Sequence, residues 1–250
     1  MSRRVCLTVP NGRTSVCPMR KHTTLDLDQD LVREAAVALG TSRTTDTVHA
    51  ALAEVVARRR RAVLARLDFA DLTPEALAAM RAPRPFDAPV EKSGPTEKQT
   101  ASDGPAPRVS RAGSMELADT SVWARKTHPF LRDWFTSAIE AGEIAGCDAI
   151  ALELLHSARN PPEFALFEEG LRGLPWVKPD ATDWLRAREV YRVLGGRPGM
   201  LQRGVKHPDL LIAAATERAG LTLVHYDADY ETIAEITGQP VRWAAPRGSL

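Results

Sequence analysis

The chain is poor in cysteine: of its 250 residues only Cys6, Cys17 and Cys147 are cysteines, an odd number with no CxxC spacing. Such a set argues against a disulfide framework and a zinc site, and fits a reducing cytoplasm. Long apolar runs are also missing. Nothing approaches the roughly 18 to 20 consecutive apolar residues that a membrane span needs. Met1 to Pro18 carries Arg3, Arg4 and Arg13 without an apolar core, so it does not read as a secretory signal. No Gly-rich phosphate loop and no Ser/His nucleophile arrangement occur, which leaves those two enzyme chemistries unsupported.

The net charge of +1 hides an asymmetry. Met1 to Arg84 holds 14 Lys and Arg against 9 Asp and Glu, whereas Met115 to Leu250 holds 15 against 19. A basic segment joined to an acidic one suggests nucleic-acid contact by the first and attraction between the two.

Residues 1–18 read as disordered. Residues 19–67 read as a small domain. Lys21, Thr23, Leu25 and Leu27 alternate with polar neighbours at strand period. A helix from Asp28 follows, with Leu31, Val32, Ala35, Ala36 and Leu39 on one face and Gly40 as its stop. A second helix from Thr45 carries Val48, Leu52, Val55, Val56, Val63 and Leu64, and its Arg58 to Arg61 run reads as a solvated face. One strand and two helices are too few for a monomeric core, so this unit calls for a second copy. Residues 87–114 are rich in Pro, Gly, Ser and Thr and read as a flexible linker whose ends would lie on the order of 30 Å apart.

From residue 115 to 250 strand and helix patterns alternate. Strands are expected at 115–118, 143–147 and 221–226, and helices at 130–141, 149–159, 183–194, 209–219 and 230–237. Pro161-Pro162 is expected to end the second of these helices. The alternation indicates an α/β fold with a mainly parallel sheet and flanking helices, which binds ligands beyond the carboxyl ends of its strands.

Acids fall at those ends. Asp119 follows the first strand, and Asp227 and Asp229 follow the last. Asp209 opens a helix, and Glu153 interrupts the apolar run Ile150-Ala151-Leu152-Glu153-Leu154-Leu155. Singly, Asp209 and Asp229 read equally as helix N-terminal acids and Asp119 as a turn residue. Jointly, converging carboxylates need cations, and hard oxygen donors suit Mg²⁺ or Mn²⁺, which assist phosphodiester cleavage. His156, His207 and His225 read as structural.

The stretches Asp119-Thr120-Ser121-Val122-Trp123, Ala151-Leu152-Glu153-Leu154-Leu155, His207-Pro208-Asp209-Leu210-Leu211-Ile212-Ala213-Ala214 and Leu223-Val224-His225-Tyr226-Asp227-Ala228-Asp229-Tyr230 agree in order and spacing with the PIN-domain ribonucleases. Together with the closing Thr237-Gly238-Gln239-Pro240 they resemble specifically the VapC-type toxins of bacterial toxin–antitoxin pairs, over about 115–246. That resemblance implies a PIN fold and an endoribonuclease acting on structured RNA such as tRNA or rRNA. It implies Asp119, Glu153, Asp209 and Asp227 as catalytic residues. Asp119, Asp209 and Asp227 would hold Mg²⁺ or Mn²⁺, Asp229 would be a possible further ligand, and Ser121 a hydrogen-bonding neighbour.

The stretches Arg20 to Asp28 and Gly40 to Val48 resemble a VapB-type antitoxin with a ribbon-helix-helix domain. The resemblance implies a dimer or higher homo-oligomer that binds operator DNA, with Arg20, His22 and Thr24 facing the bases. It also implies that residues 68–86 form a tail over the active site. There Leu67, Phe69, Leu72, Leu77 and Met80 would fill an apolar groove, and Arg81 or Arg84 would meet the acids, in cis or by exchange between copies. Toxin and antitoxin are usually separate chains, and here they share one. Two alternatives stay open: a transcriptional regulator with a catalytically silent PIN-like oligomerisation module, and a DNA nuclease.

Overall fold

The computed structural model describes residues 24–81, 115–198 and 204–250. Residues 1–18, Arg20, His22, Arg84 and the expected linker 87–114 lie outside them. The chain divides into two compact units, residues 1–51 and 52–250.

In the first unit, α1 (Gln29–Leu39) begins where the Asp28 side chain accepts hydrogen bonds from the Asp30 and Leu31 amides. It stops at Gly40, whose φ of 62° is a conformation glycine adopts without steric cost. Residues 24–28 carry no strand pairing. The ribbon expected over 21–27 is therefore not formed by its described part, since a lone strand has no edge to pair with. Leu25, Leu31 and Val37 stay exposed, and α1 buries no residue.

The boundary between units falls inside α2 (Thr44–Arg66). Leu52, Val55 and Val56 are exposed, but Leu64 at the far end is fully buried with Phe69, Leu72 and Leu77. Phe69 meets Trp123 edge-on at 5.8 Å and Phe167 at 4.5 Å. Each such side chain contributes about 1.5–3 kcal/mol through burial. Met80 and Leu67 are only partly covered. Residues 74–81, expected only as a tail, form a helix, α3 (Pro74–Arg81), whose first turn is capped by Thr73 Oγ1 accepting from the Ala76 amide.

Arg60 and Arg61 are not on a solvated face. Arg60 pairs with Glu169 at 2.7 Å, and buried Arg61 donates to the carbonyls of Gly173 and Glu140 and to Glu54. Glycine at 173 makes this approach possible: a Cβ there would lie 2.5 Å from Arg60 Cβ and 2.8 Å from the Arg61 amide nitrogen. From the other side, buried Lys126 donates to the carbonyls of Leu64, at 3.0 Å, and Leu67, at the C-terminal end of α2 where a cation is favoured.

The sheet is parallel throughout, in the order β3-β2-β1-β4-β5. Its strands are β1 (Glu116–Ala118), β2 (Ile144–Cys147), β3 (Trp176–Val177), β4 (Thr222–His225) and β5 (Val241–Trp243). Around it lie α4 (Thr120–Trp123), α5 (Pro129–Ala141), α6 (Asp148–His156), α7 (Pro161–Leu171), α8 (Ala181–Gly196), α9 (His207–Ala219) and α10 (Asp229–Thr237). The apolar runs of β1, β2 and β4 suit strands covered on both faces. Pro161-Pro162 opens α7 instead of merely ending α6. Proline is favoured in a first turn, where its missing N–H costs nothing, and Asn160 caps the helix by accepting from the Glu163 amide. The short β3, α4 and β5 carry too few residues to show a period in the sequence. Among the described residues no helix is long and apolar enough to cross a membrane.

Candidate active site

Pairing of β1 with β4 sets Ala118 beside Val224, so the segments after both strands emerge together at the carboxyl edge of the sheet. Asp119 follows β1 as the N-cap of α4; its Oδ2 accepts from the Ser121 amide at 2.7 Å. Ser121 Oγ accepts from the Tyr226 amide at 2.9 Å, tying the two strand ends together. Asp209 arrives in the first turn of α9 and Glu153 from the middle of α6. Asp119 and Asp209 are 0% exposed and Glu153 6%, too little for water alone to solvate their charges.

One side chain meets all three. Arg81, at the end of α3, donates from Nε to Glu153 Oε1 and from Nη2 to Glu153 Oε2, each at 2.6 Å. The same Nη2 lies 3.2 Å from Asp119 Oδ1, and Nη1 lies 2.7 Å from Asp209 Oδ1, close enough to pair but without hydrogen-bond alignment. Burial opposes the guanidinium charge, and the surrounding carboxylates more than offset it, raising the Arg81 pKa. Burial would likewise push Asp119 up, but Arg81 and the hydrogen bonds from Ser121 and Tyr230 outweigh it and hold the carboxyl low. Asp209 goes the other way. Burial and then the Asp119 charge push it up to about 8.

A second cation lies at the outer side of the cluster. Lys206 Nζ is 2.7 Å from Asp229 Oδ2, 3.0 Å from Asp227 Oδ2 and 3.8 Å from Asp209 Oδ2. Burial works against its charge, yet Asp229 and Asp227 raise its pKa. Carboxylate oxygens of Asp209, Asp227 and Asp229 lie within 4.8 Å of one another, and Asp209 Oδ2 is buried without a hydrogen-bond partner. An orphaned acceptor facing two further carboxylates, all hard oxygen donors, fits a divalent cation.

Thus the structure brings Asp119, Glu153, Asp209, Asp227, Asp229, Ser121 and Arg81 to one place. Thr24 belongs to the other unit and is exposed. Two residues of the site were missed in the sequence. Tyr230 is fully buried and donates its hydroxyl to Asp119 at 2.6 Å, with Asp209 at 3.3 Å. Its place inside the amphipathic pattern of α10 gave it the look of an ordinary core residue. Lys206 stands beside the proline-led start of α9, and a cation three residues before a buried acid is the sequence signal that marks it. His225 is buried against Tyr230 and Trp243, and burial lowers its pKa, so it stays neutral.

The parallel sheet carries buried acids gathered at its carboxyl edge, and residues 117–236 match the family model for the PIN domain. This chain belongs to the PIN-domain family, and its relatives there are VapC proteins. It is 39% identical over 132 residues to Ribonuclease VapC18 of Mycobacterium tuberculosis, covering 53% of this chain and 96% of that one. It is 41% identical over 134 residues to Ribonuclease VapC51 of the same organism, covering 54% and 96%. Ribonuclease VapC21, also from Mycobacterium tuberculosis, is 37% identical over 134 residues, covering 53% and 96%.

Proposed function

We propose that this chain is a toxin and its inhibitor in one polypeptide. Residues 115–250 are a divalent-cation-dependent endoribonuclease, and the segment ending in Arg81 holds it inactive in cis. The observation that carries this reading is the simultaneous contact of Arg81 with Asp119, Glu153 and Asp209. A guanidinium there satisfies the carboxylates that would otherwise hold Mg²⁺ or Mn²⁺, so inhibitor and cation compete for the same charge. When bound, the cation supplies the positive charge that draws a phosphodiester to the acids and stabilises its cleavage. Asp119, Asp209 and Asp227 would hold it, with Asp229 as a further donor and Glu153 as the fourth catalytic carboxylate. Ser121 and Tyr230 position Asp119.

The names of the relatives support RNA as the substrate class, and structured RNA such as tRNA or rRNA is the reading carried forward. Residues 19–67 act as a ribbon-helix-helix dimer on operator DNA through Arg20, His22 and Thr24. The exposed Leu25, Leu27 and Leu31 support that part, because a second copy would cover them. The test is the full chain carrying Arg81→Ala, incubated with total RNA in Mg²⁺, Mn²⁺ or EDTA beside the same chain with Asp119→Asn added. Discrete cleavage that needs metal and Asp119 supports the reading. Absence of cleavage by a folded, Mn²⁺-binding protein removes it and leaves a regulator with a silent PIN module.

A further inference from the structure

Beside the acids lies a second feature that the cleavage chemistry does not use. A cleft of about 480 Å³, a volume suited to one small ligand, opens next to Asp227 and Lys206. Two aromatic rings line it. Tyr226 and Trp243 stand at 87° with centroids 5.4 Å apart. Each ring is fixed at its polar end: the Trp243 indole N–H donates to Glu231 at 2.7 Å, and the Tyr226 hydroxyl accepts from the Leu250 amide at 2.9 Å. Each also carries a guanidinium on its face. Arg125 sits 4.6 Å above the Tyr226 ring and Arg247 5.7 Å from the Trp243 ring. Arg125 is half-buried and anchored by a 3.0 Å hydrogen bond to the Ser121 carbonyl, whereas Arg247 is exposed and has the Trp243 ring beside it.

Pinned rings and paired cations meet both halves of a nucleotide. An aromatic face accepts any base by stacking, and guanidinium groups grip phosphate. Arg125 leads back to Ser121 and Asp119, so a phosphate on Arg125 would place the next phosphodiester near the acids. We propose that this cleft is a nucleotide subsite, which takes one unpaired RNA base on the Trp243 ring, displacing the Arg247 guanidinium from it, and the adjoining phosphate on Arg125 and Arg247. The proposal rests on the ribonuclease reading and deepens it: the RNA must present a single-stranded nucleotide beside the cleaved bond. Pro74, Leu77 and Ala78 of α3 form one wall of the same cleft. The helix that places Arg81 on the acids therefore also narrows the base site, and its withdrawal uncovers both.

The test uses the full chain with Arg81→Ala, and with Asp119→Asn added for binding without cleavage. A fluorescein-labelled single-stranded oligoribonucleotide is titrated by anisotropy. Trp243→Ala should weaken binding by roughly five- to a hundredfold. Arg247→Gln, at an exposed position where folding is not at risk, should lower the slope of log Kd against log salt by about 0.7. In the cleavage-competent Arg81→Ala chain, Arg247→Gln should raise KM several-fold with kcat within about twofold. If that chain cleaves RNA while neither variant alters Kd, salt slope or KM, the subsite is wrong and the ribonuclease reading survives. If it neither binds nor cleaves RNA, both fail.

Discussion

Arg81 and Glu153 meet through two parallel hydrogen bonds of 2.6 Å, with 2% of one side chain and 8% of the other exposed. A bidentate pair this dry is worth most to the element that brings it, because breaking it strands a charge. Arg81→Ala leaves Glu153, Asp119 and Asp209 facing one another without their shared cation. Removing one partner of a buried pair costs about 3–5 kcal/mol. The expected outcome is a lower melting temperature in EDTA that Mn²⁺ largely restores. A variant that Mn²⁺ stabilises no more than the parent chain would contradict the competition between guanidinium and metal.

Docking of α2 offers a second route that leaves the acids untouched. Gly173→Ala places a methyl 2.5 Å from Arg60 Cβ, against a helix and not a flexible tip. Overpacking of this kind costs about 1–3 kcal/mol. It should loosen residues 52–81, speed their limited proteolysis and raise RNA cleavage several-fold. Arg60→Ala, which removes a part-exposed pair, should change stability by no more than about 1 kcal/mol and serves as the control. Equal protease resistance in Gly173→Ala and the parent would sink this account.

The raised pKa of Asp209 makes stability depend on pH. Burial and the Asp119 charge push the folded carboxyl up to about 8, above its ordinary 3.8 in the unfolded chain. Between those values the folded chain holds a proton that the unfolded chain releases. That contribution is fully present below the unfolded value and is lost as pH rises through about 8. Urea midpoints in EDTA should therefore fall across this window, and Asp209→Asn should flatten the fall. An unchanged slope in the variant would place the titration elsewhere.

Much of this site was legible in the sequence because the polar residues sit in local signatures. Asp119-Thr120-Ser121 and Asp227-Ala228-Asp229 each follow an apolar strand, and Glu153 stands out in the otherwise apolar run around it. The parallel sheet followed from alternating strand and helix patterns. Apart from Lys206, which has a local partner in Asp209, the residues that escaped act across the fold. Tyr230 reaches Asp119 over a separation of 111 residues, and Arg60 and Arg61 find partners more than 75 residues away. Helical period describes which face a residue shares, not what covers that face. In the arginine run of α2, Arg58 and Arg59 are solvated, while Arg60 and Arg61 are covered by α7 and the turn at Gly173.

Lys206 provides a second internal cation, and its removal should favour the external one. Lys206→Gln takes a positive charge from among Asp209, Asp227 and Asp229 and leaves the donors in place. Two like charges near 4 Å repel by about 4 kcal/mol at an effective dielectric of 20, and partial exposure reduces this. Mn²⁺ measured by titration calorimetry should bind at least about tenfold more tightly to the variant. Weaker binding would mean that Lys206 holds the carboxylates in place for the metal and does not compete with it.

The most direct test of the central claim compares RNA cleavage by the full chain with and without Arg81→Ala, in Mn²⁺. A parent that is nearly silent, a variant that cleaves at discrete sites, and loss of that cleavage when Asp119→Asn is added would establish an arginine-held nuclease. Equal activity of the parent and Arg81→Ala, whether high or absent, would contradict inhibition by Arg81.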